Sequence, residues 1–130
     1  MPMSAYLKNK LLDHSLGKTS FTMPAVVKVA AYNGDPAGAG TEAEASATHG
    51  YDRQSLTIDA AAAGATQNSV KITWGPNTGA DSWTVTYFAV FDNATVGAGN
   101  LLWSGTLTNR TIAQNDSYEV AIADLDFSIT

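Results

Sequence analysis

Chemistry at a protein site needs acids, bases, nucleophiles or metal ligands held at fixed spacing, and this sequence offers few such groups. Glu42 and Glu44 form a close carboxylate pair. Such a pair can divide general acid and base work where it is rigidly held and where the acid is desolvated. These two lie in a Gly- and Ala-rich stretch and read instead as a solvated acidic loop. Asp124 and Asp126 share one face of a terminal strand, opposite Leu125 and Phe127, and read as edge charges that discourage strand-to-strand aggregation. A hydrolytic triad would need a base from His14 or His49. His14 falls late in an N-terminal helix, where an imidazolium favourably meets the C-terminal end of the dipole, and His49 beside Gly50 reads as a turn residue. No Gly-x-Ser-x-Gly elbow exists; Trp103-Ser104-Gly105 carries its second half, inside a strand pattern. Asp92 with Asn93 and Thr95 lacks the calcium-loop spacing and its closing Glu. The run Gly38-Ala-Gly40-Thr-Glu-Ala43 fits a loose dinucleotide pattern, but no helix pattern follows the glycines. No catalytic residue, metal ligand or cofactor is assigned.

The bulk composition narrows the classes further. With 130 residues the chain reads as one domain, 1–130, long enough to bury roughly two-thirds of its unfolded surface. It has no cysteine, which removes disulfides and thiolate chemistry. A net charge of −5 without a Lys/Arg cluster argues against nucleic acid as a partner. No apolar run approaches a membrane span, and the start lacks a signal-peptide core, so synthesis in the cytoplasm without export is expected. Asn93, Asn109 and Asn115 fit the glycosylation pattern and read as turn chemistry.

The elements that must position any site are mostly strands. Ser4 can cap a short helix to about Leu16, with Gly17 as its stop. Leu7, Leu11, Leu12 and Leu16 give it an apolar stripe, and residues 1–20 are expected to form a helical arm. Pro24 opens a strand over Ala25–Tyr32, and Asn33-Gly34-Asp35-Pro36 breaks it before a long flexible loop, 33–50. Arg53–Ile58 follows as a strand with Leu56 and Ile58 together, and Ala60–Ala63 as a bend. Ser69–Trp74 should place Val70, Ile72 and Trp74 inward, and the turn Gly75–Asp81 delivers the chain to the next strand. Leu101–Leu107, with Leu101, Trp103 and Leu107 on one face, then Tyr118–Ile122 and Leu125–Ile129 complete about seven short strands. The sum is a mainly β chain, a β-sandwich or jelly-roll-like domain with one short N-terminal amphipathic helix.

Ser82–Asp92 is the densest β-branched and aromatic run. Strict alternation puts Trp83, Val85, Tyr87, Ala89 and Phe91 on one face and Thr84, Thr86, Phe88 and Val90 on the other. It reads as the central strand, one face filling the core and the other meeting a second layer, either the N-terminal helix or a neighbouring subunit. Trp74, Trp83 and Trp103 could line a sugar platform; being in step with inward aliphatics, they read as core or subunit interface.

The order of several blocks carries a family resemblance. They are Tyr6-Leu-Lys-Asn-Lys-Leu-Leu-Asp-His14, Pro24-Ala-Val-Val-Lys-Val-Ala-Ala-Tyr32, Tyr51-Asp-Arg-Gln54, Asn68-Ser-Val-Lys-Ile-Thr-Trp74, Trp83 through Asp92, and Gly99-Asn-Leu-Leu-Trp-Ser-Gly105. The chain resembles small tailed-phage virion proteins of the tail fibre-like or capsid decoration (cement) kind. That resemblance implies a non-enzymatic structural protein of the virion, first a cement protein bound to the major capsid protein lattice and self-associated as a homotrimer. A tail fibre or tail-tip component is the alternative, and a carbohydrate-binding β-domain is the alternative from another class. Tyr6, Leu7, Leu11, Leu12, Trp74, Trp103 and Phe88 are the residues expected at an oligomer or capsid interface.

Overall fold

Ser4 caps the first helix as anticipated, its Oγ accepting the Leu7 N–H at 3.1 Å. In the computed structural model, which describes residues 3–42 and 50–129, that helix is α1 (Ala5–Ser15). Among the described residues nine strands follow: β1 (Lys28–Asn33), β2 (Thr41–Glu42), β3 (Gln54–Ser55), β4 (Ala65–Gln67), β5 (Ile72–Trp74), β6 (Trp83–Phe91), β7 (Leu101–Ile112), β8 (Tyr118–Val120) and β9 (Asp126–Ser128). Gly17, with φ +80°, stops the helix. Glu44 and His49, considered above as an acid and a turn residue, lie outside the described residues.

The strands form two antiparallel layers of a β-sandwich-like fold. The first has the order β2-β1-β6-β7, with β3 also pairing β1, so β6 is central as its composition suggests. The second is in effect one bent ribbon. Its outer half pairs β4 with β9 and its inner half β5 with β8, and the register shifts between the halves. Asn68 sits at that break, fully buried. Its Nδ2 donates to the Val70 and Ala121 carbonyls, and its Oδ1 accepts the Leu125 N–H. The side chain thus replaces ladder bonds that the bend interrupts. Asn77 does the same below β5, donating to the Asp81 and Ile112 carbonyls and accepting from the Gly79 N–H.

The core between the layers contains Trp74, Trp83, Val85, Phe88, Val90, Ile112 and Leu125. That set corrects the alternation expected for the central strand. Trp83 and Val85 share the core face with Phe88 and Val90, because the pairing of β6 with β7 slips between Val85 and Tyr87. A slip of this kind inverts the side-chain phase beyond it. Ala89 and Phe91 therefore face away, in a small second cluster with Ala30, Tyr32 and Leu101. A second slip beside Phe91 separates Leu101 from Trp103 and Leu107, which pack on the main core instead of sharing a face with it.

Other departures have similarly local causes. Val70, expected inward, is 52 % exposed because it follows the Asn68 bend and precedes the paired part of β5. The loop expected over 33–50 includes a tight return that pairs β2 with β1. At that return Gly40 lies against Gly34, where a Cβ would come within 2.5 Å of backbone. The Ala60–Ala63 bend leads into a reversal at Ala63 and Gly64, both at positive φ, closed by mutual backbone bonds of Ala62 and Ala65. β4, unrecognised in the sequence, starts there.

The Asn68 node should be a sensitive point of the fold. Asn68→Ala strands one buried N–H and two carbonyls and is expected to cost about 2–4 kcal/mol in urea unfolding. Val70→Ser, two residues away and exposed, should stay within about 0.5 kcal/mol.

Candidate interaction surface

The side chains with chemical potential are mostly absorbed by structure. Glu42, read as part of a solvated loop, is instead buried on β2 and pairs with Arg53 at 2.9 Å, the two side chains being 5 % and 0 % exposed. The contact is bidentate, Nε to Oε2 and Nη2 to Oε1, each at 2.9 Å. Arg53 Nη1 donates to the Asn93 and Ala98 carbonyls, and its guanidinium lies 4.1 Å from the Phe91 ring centroid. Tyr51 completes the group: its hydroxyl donates to Glu42 Oε2 at 2.6 Å and accepts the Ala31 N–H at 3.1 Å. Ala31 lies between the segments of β1 paired by β3 and by β2, so the Tyr51 hydroxyl fills a gap in the ladder. Burial, and then the adjacent Glu42 carboxylate, push the Tyr51 phenol far above its ordinary value, which keeps it a donor. Burial is the largest influence and works against the Arg53 charge, but the hydrogen bonds to Glu42 and its negative charge, with smaller contributions from Tyr51 and Tyr32, together outweigh it and the net shift is upward. With every partner internal and the surface closed, this group is scaffold. The Arg53 guanidinium also covers Phe91, on the face of β6 turned away from the core, where a helix or a neighbouring subunit was expected.

The remaining candidates are dispersed. His14 accepts the Phe21 N–H at Nδ1, 3.0 Å, and so pins the link after α1. Asp92 accepts from both the Asn100 backbone and its side chain, closing the loop between β6 and β7. Asn93 accepts the Thr95 N–H in an Asx turn. Ser104 is buried on β7 opposite Ala89. Asp124 and Asp126 are exposed. Among the described residues no three His, Asp or Glu side chains gather as a metal site.

What the surface does present is apolar. Leu7 and Leu11 sit 4 apart and face the sheet, Leu7 in the core and Leu11 packed against it with Tyr6. Leu12 lies about 140° round the helix from Leu7, and with Leu16 it faces solvent, at 57 % and 80 % exposed. The single stripe expected from sequence is thus two. The helix begins at the outer edge of β7, where Ser4 N–H bonds the Leu102 carbonyl and Met3 bridges to Trp103. Between α1, the 21–27 link and the β4–β9 end of the ribbon runs a groove of about 290 Å³, floored by Leu7, Val90, Trp103 and Phe127 and edged by Phe21 and Ile58. It continues past Trp103 and Phe127 to Ile129. Ile129 also lines a hollow of about 510 Å³ against Leu11 and Leu12.

Of the residues expected at an interface, the structure brings Leu7, Leu11, Leu12 and Trp103 to this face, with Tyr6 beside it under Lys10. Trp74 and Phe88 are corrected: both have no exposed surface and belong to the core. The same burial removes Trp74 and Trp83 from any sugar platform. Ile58 and Ile129 also reach this surface, 46 % and 52 % exposed, Ile129 just past the end of β9 and Ile58 beyond β3 at an isolated bridge to Asn68.

Two measurements check the scaffold assignment. Arg53→Ala, which leaves Glu42 buried and unpaired, should lower unfolding stability by about 3–5 kcal/mol. Lys71→Ala, removing a pair with Glu119 in which both side chains are more than half exposed, should cost at most about 1 kcal/mol. The raised phenols of Tyr51, Tyr32 and Tyr118 contribute stability that is whole below the unfolded phenol value and is lost as pH rises beyond it. The melting temperature should therefore hold to about pH 9 and fall above about pH 10. In Tyr51→Phe, less stable at neutral pH, that alkaline fall should be shallower by up to about 1.4 kcal/mol per pH unit.

Comparison with known proteins adds a match along nearly the whole chain. A family model described as podophage GP4 fiber I protein gp80 matches residues 2–128. No curated protein matches.

Proposed function

Since the chain belongs to the podophage GP4 fiber I protein family, and is thus a fibre-like structural protein of a tailed-phage virion, we propose that it is a non-enzymatic component of the tail fibre apparatus. The match over residues 2–128 carries this reading. It reverses the order expected from the sequence resemblance, in which capsid cement came first and tail fibre second.

The surface agrees with a part that works by being held in place. A face carrying Leu12, Leu16, Ile58 and Ile129 exposed around an apolar groove is the kind of patch that marks a protein contact. A fibre repeats its contacts in each copy, so moderate affinity at each one suffices through multivalency. In this reading the partners are other copies of the chain and neighbouring tail proteins; the homotrimer belonged to the cement reading and does not carry over.

Electron microscopy of intact virions labelled with antibody to this chain tests the placement. Label at the tail is the expected result, with the chain present among virion proteins by mass spectrometry. Label spread over the capsid shell would overturn the fibre reading in favour of cement.

A further inference from the structure

We propose that Asn33 is a slow self-modification site, converting to aspartate or isoaspartate by attack of the Gly34 nitrogen on its own side chain, and that the Thr86 hydroxyl of the central strand sets the rate. Asn33 and Gly34 form the single Asn-Gly step of the chain, at the end of β1 where the return to β2 begins. A glycine after Asn leaves its backbone nitrogen unshielded, and here the glycine is not dispensable: Gly34 has φ +91°, and a Cβ on it would lie 3.0 Å from the Gly40 Cα. Asn33 is exposed, so water and base reach its carboxamide. Against this stands one hydrogen bond. The β1–β6 ladder ends with Tyr32 opposite Tyr87, and the next step brings Thr86 level with Asn33, where its Oγ1 accepts the Gly34 N–H at 2.8 Å.

The reaction needs only water. The Gly34 nitrogen gives up its proton to solvent base and bonds to the Asn33 Cγ; the bond from Cγ to the side-chain nitrogen breaks, and that nitrogen leaves as ammonia. Water then opens the cyclic imide at either carbonyl. One opening gives aspartate, and the other gives isoaspartate, in which the main chain runs through the former side chain and is longer by a methylene. Attack requires the Gly34 nitrogen to turn toward Cγ and shed its proton, and the bond to Thr86 opposes both while β1 is paired. The two products differ in consequence. Asn33 pairs with Thr41 and Tyr32 with Glu42, so a methylene added at position 33 is either absorbed within the return or shifts Glu42 from Arg53. The return has little room to absorb it, because a Cβ on Gly40 would already come within 2.5 Å of the Gly34 backbone. Isoaspartate therefore acts on the buried ion pair.

Peptide mapping by mass spectrometry of the full chain, held folded at mildly alkaline pH, tests this. Conversion at Asn33, read as the mass gain of amide-to-acid exchange, should be slow in the parent and much faster in the chain unfolded in guanidinium chloride. Thr86→Val and Thr86→Ala, which lack the hydroxyl, should raise the folded rate about three- to tenfold. Thr86→Ser should keep the parent rate, and Asn109 and Asn115, both exposed, should be unaffected in all three variants. Isoaspartate-containing chains, separated chromatographically, should melt below the Asn33→Asp variant, because only they carry the added methylene. Thr86→Val and Thr86→Ala chains that convert at the parent rate, a Thr86→Ser chain that converts as fast as they are expected to, or a folded parent as fast as the unfolded chain would each overturn the assignment. Isoaspartate chains that melt together with Asn33→Asp would overturn the coupling to the ion pair. Tail placement is independent of these results and stands or falls on the virion label.

Discussion

The buried Arg53–Glu42 pair is the contact on which the arrangement of the first sheet depends. It ties β2 to the segment entering β3, and these two short strands cover different ends of the same edge of β1. Two-residue strands gain too little from their own ladder bonds to hold position. A bidentate ion pair with its remaining donors satisfied supplies the missing constraint, and Tyr51 closes the backbone gap at Ala31. The desolvation of both charges is offset by this completeness; an incomplete network in the same place would be a liability.

The second layer solves its own backbone problem with neutral groups. A ribbon that bends must break its ladder, and Asn68 and Asn77 accept and donate at the breaks. Because the ribbon is only two strands wide, it covers the sheet incompletely near β4 and β9. The N-terminal helix closes part of what remains, with Leu7 inserted into the core. The uncovered remainder is the apolar groove and its flanks. The exposed face follows from the economy of this layering, and its apolar character is a property of core positions left at the rim.

Membership in a phage fibre family and a surface of this kind belong together physically. A virion component is assembled once and must persist, which allots many of its side chains to buried contacts and internal pairing. The side chains that might have been catalytic are consistent with that allocation. Glu42 and Arg53 neutralise each other inside the fold, His14 holds a loop, and Asp92 closes another.

Much of the fold was legible in residue order. The Ser4 cap and Gly17 stop define α1 because capping chemistry is local, and the β-branched runs mark β1, β5, β6 and β7 because strand pattern is local too. The missed strands β2 and β4 have no such run; they are strands because a partner pairs them. Which way side chains point was only partly legible. The face of Phe88 against that of Trp83, or of Leu101 against that of Trp103, turns on a slip in pairing with another strand, and a period-2 count along one strand cannot register it. The same limit hid the Glu42–Arg53 pair and the exposure of Leu12 and Ile129. The sequence by itself determined the element types, the absence of cysteine chemistry and the stock of apolar side chains. Tertiary structure decided which of those side chains were buried, paired or left outside, because burial and pairing depend on the neighbour across the ladder, which local spacing does not contain.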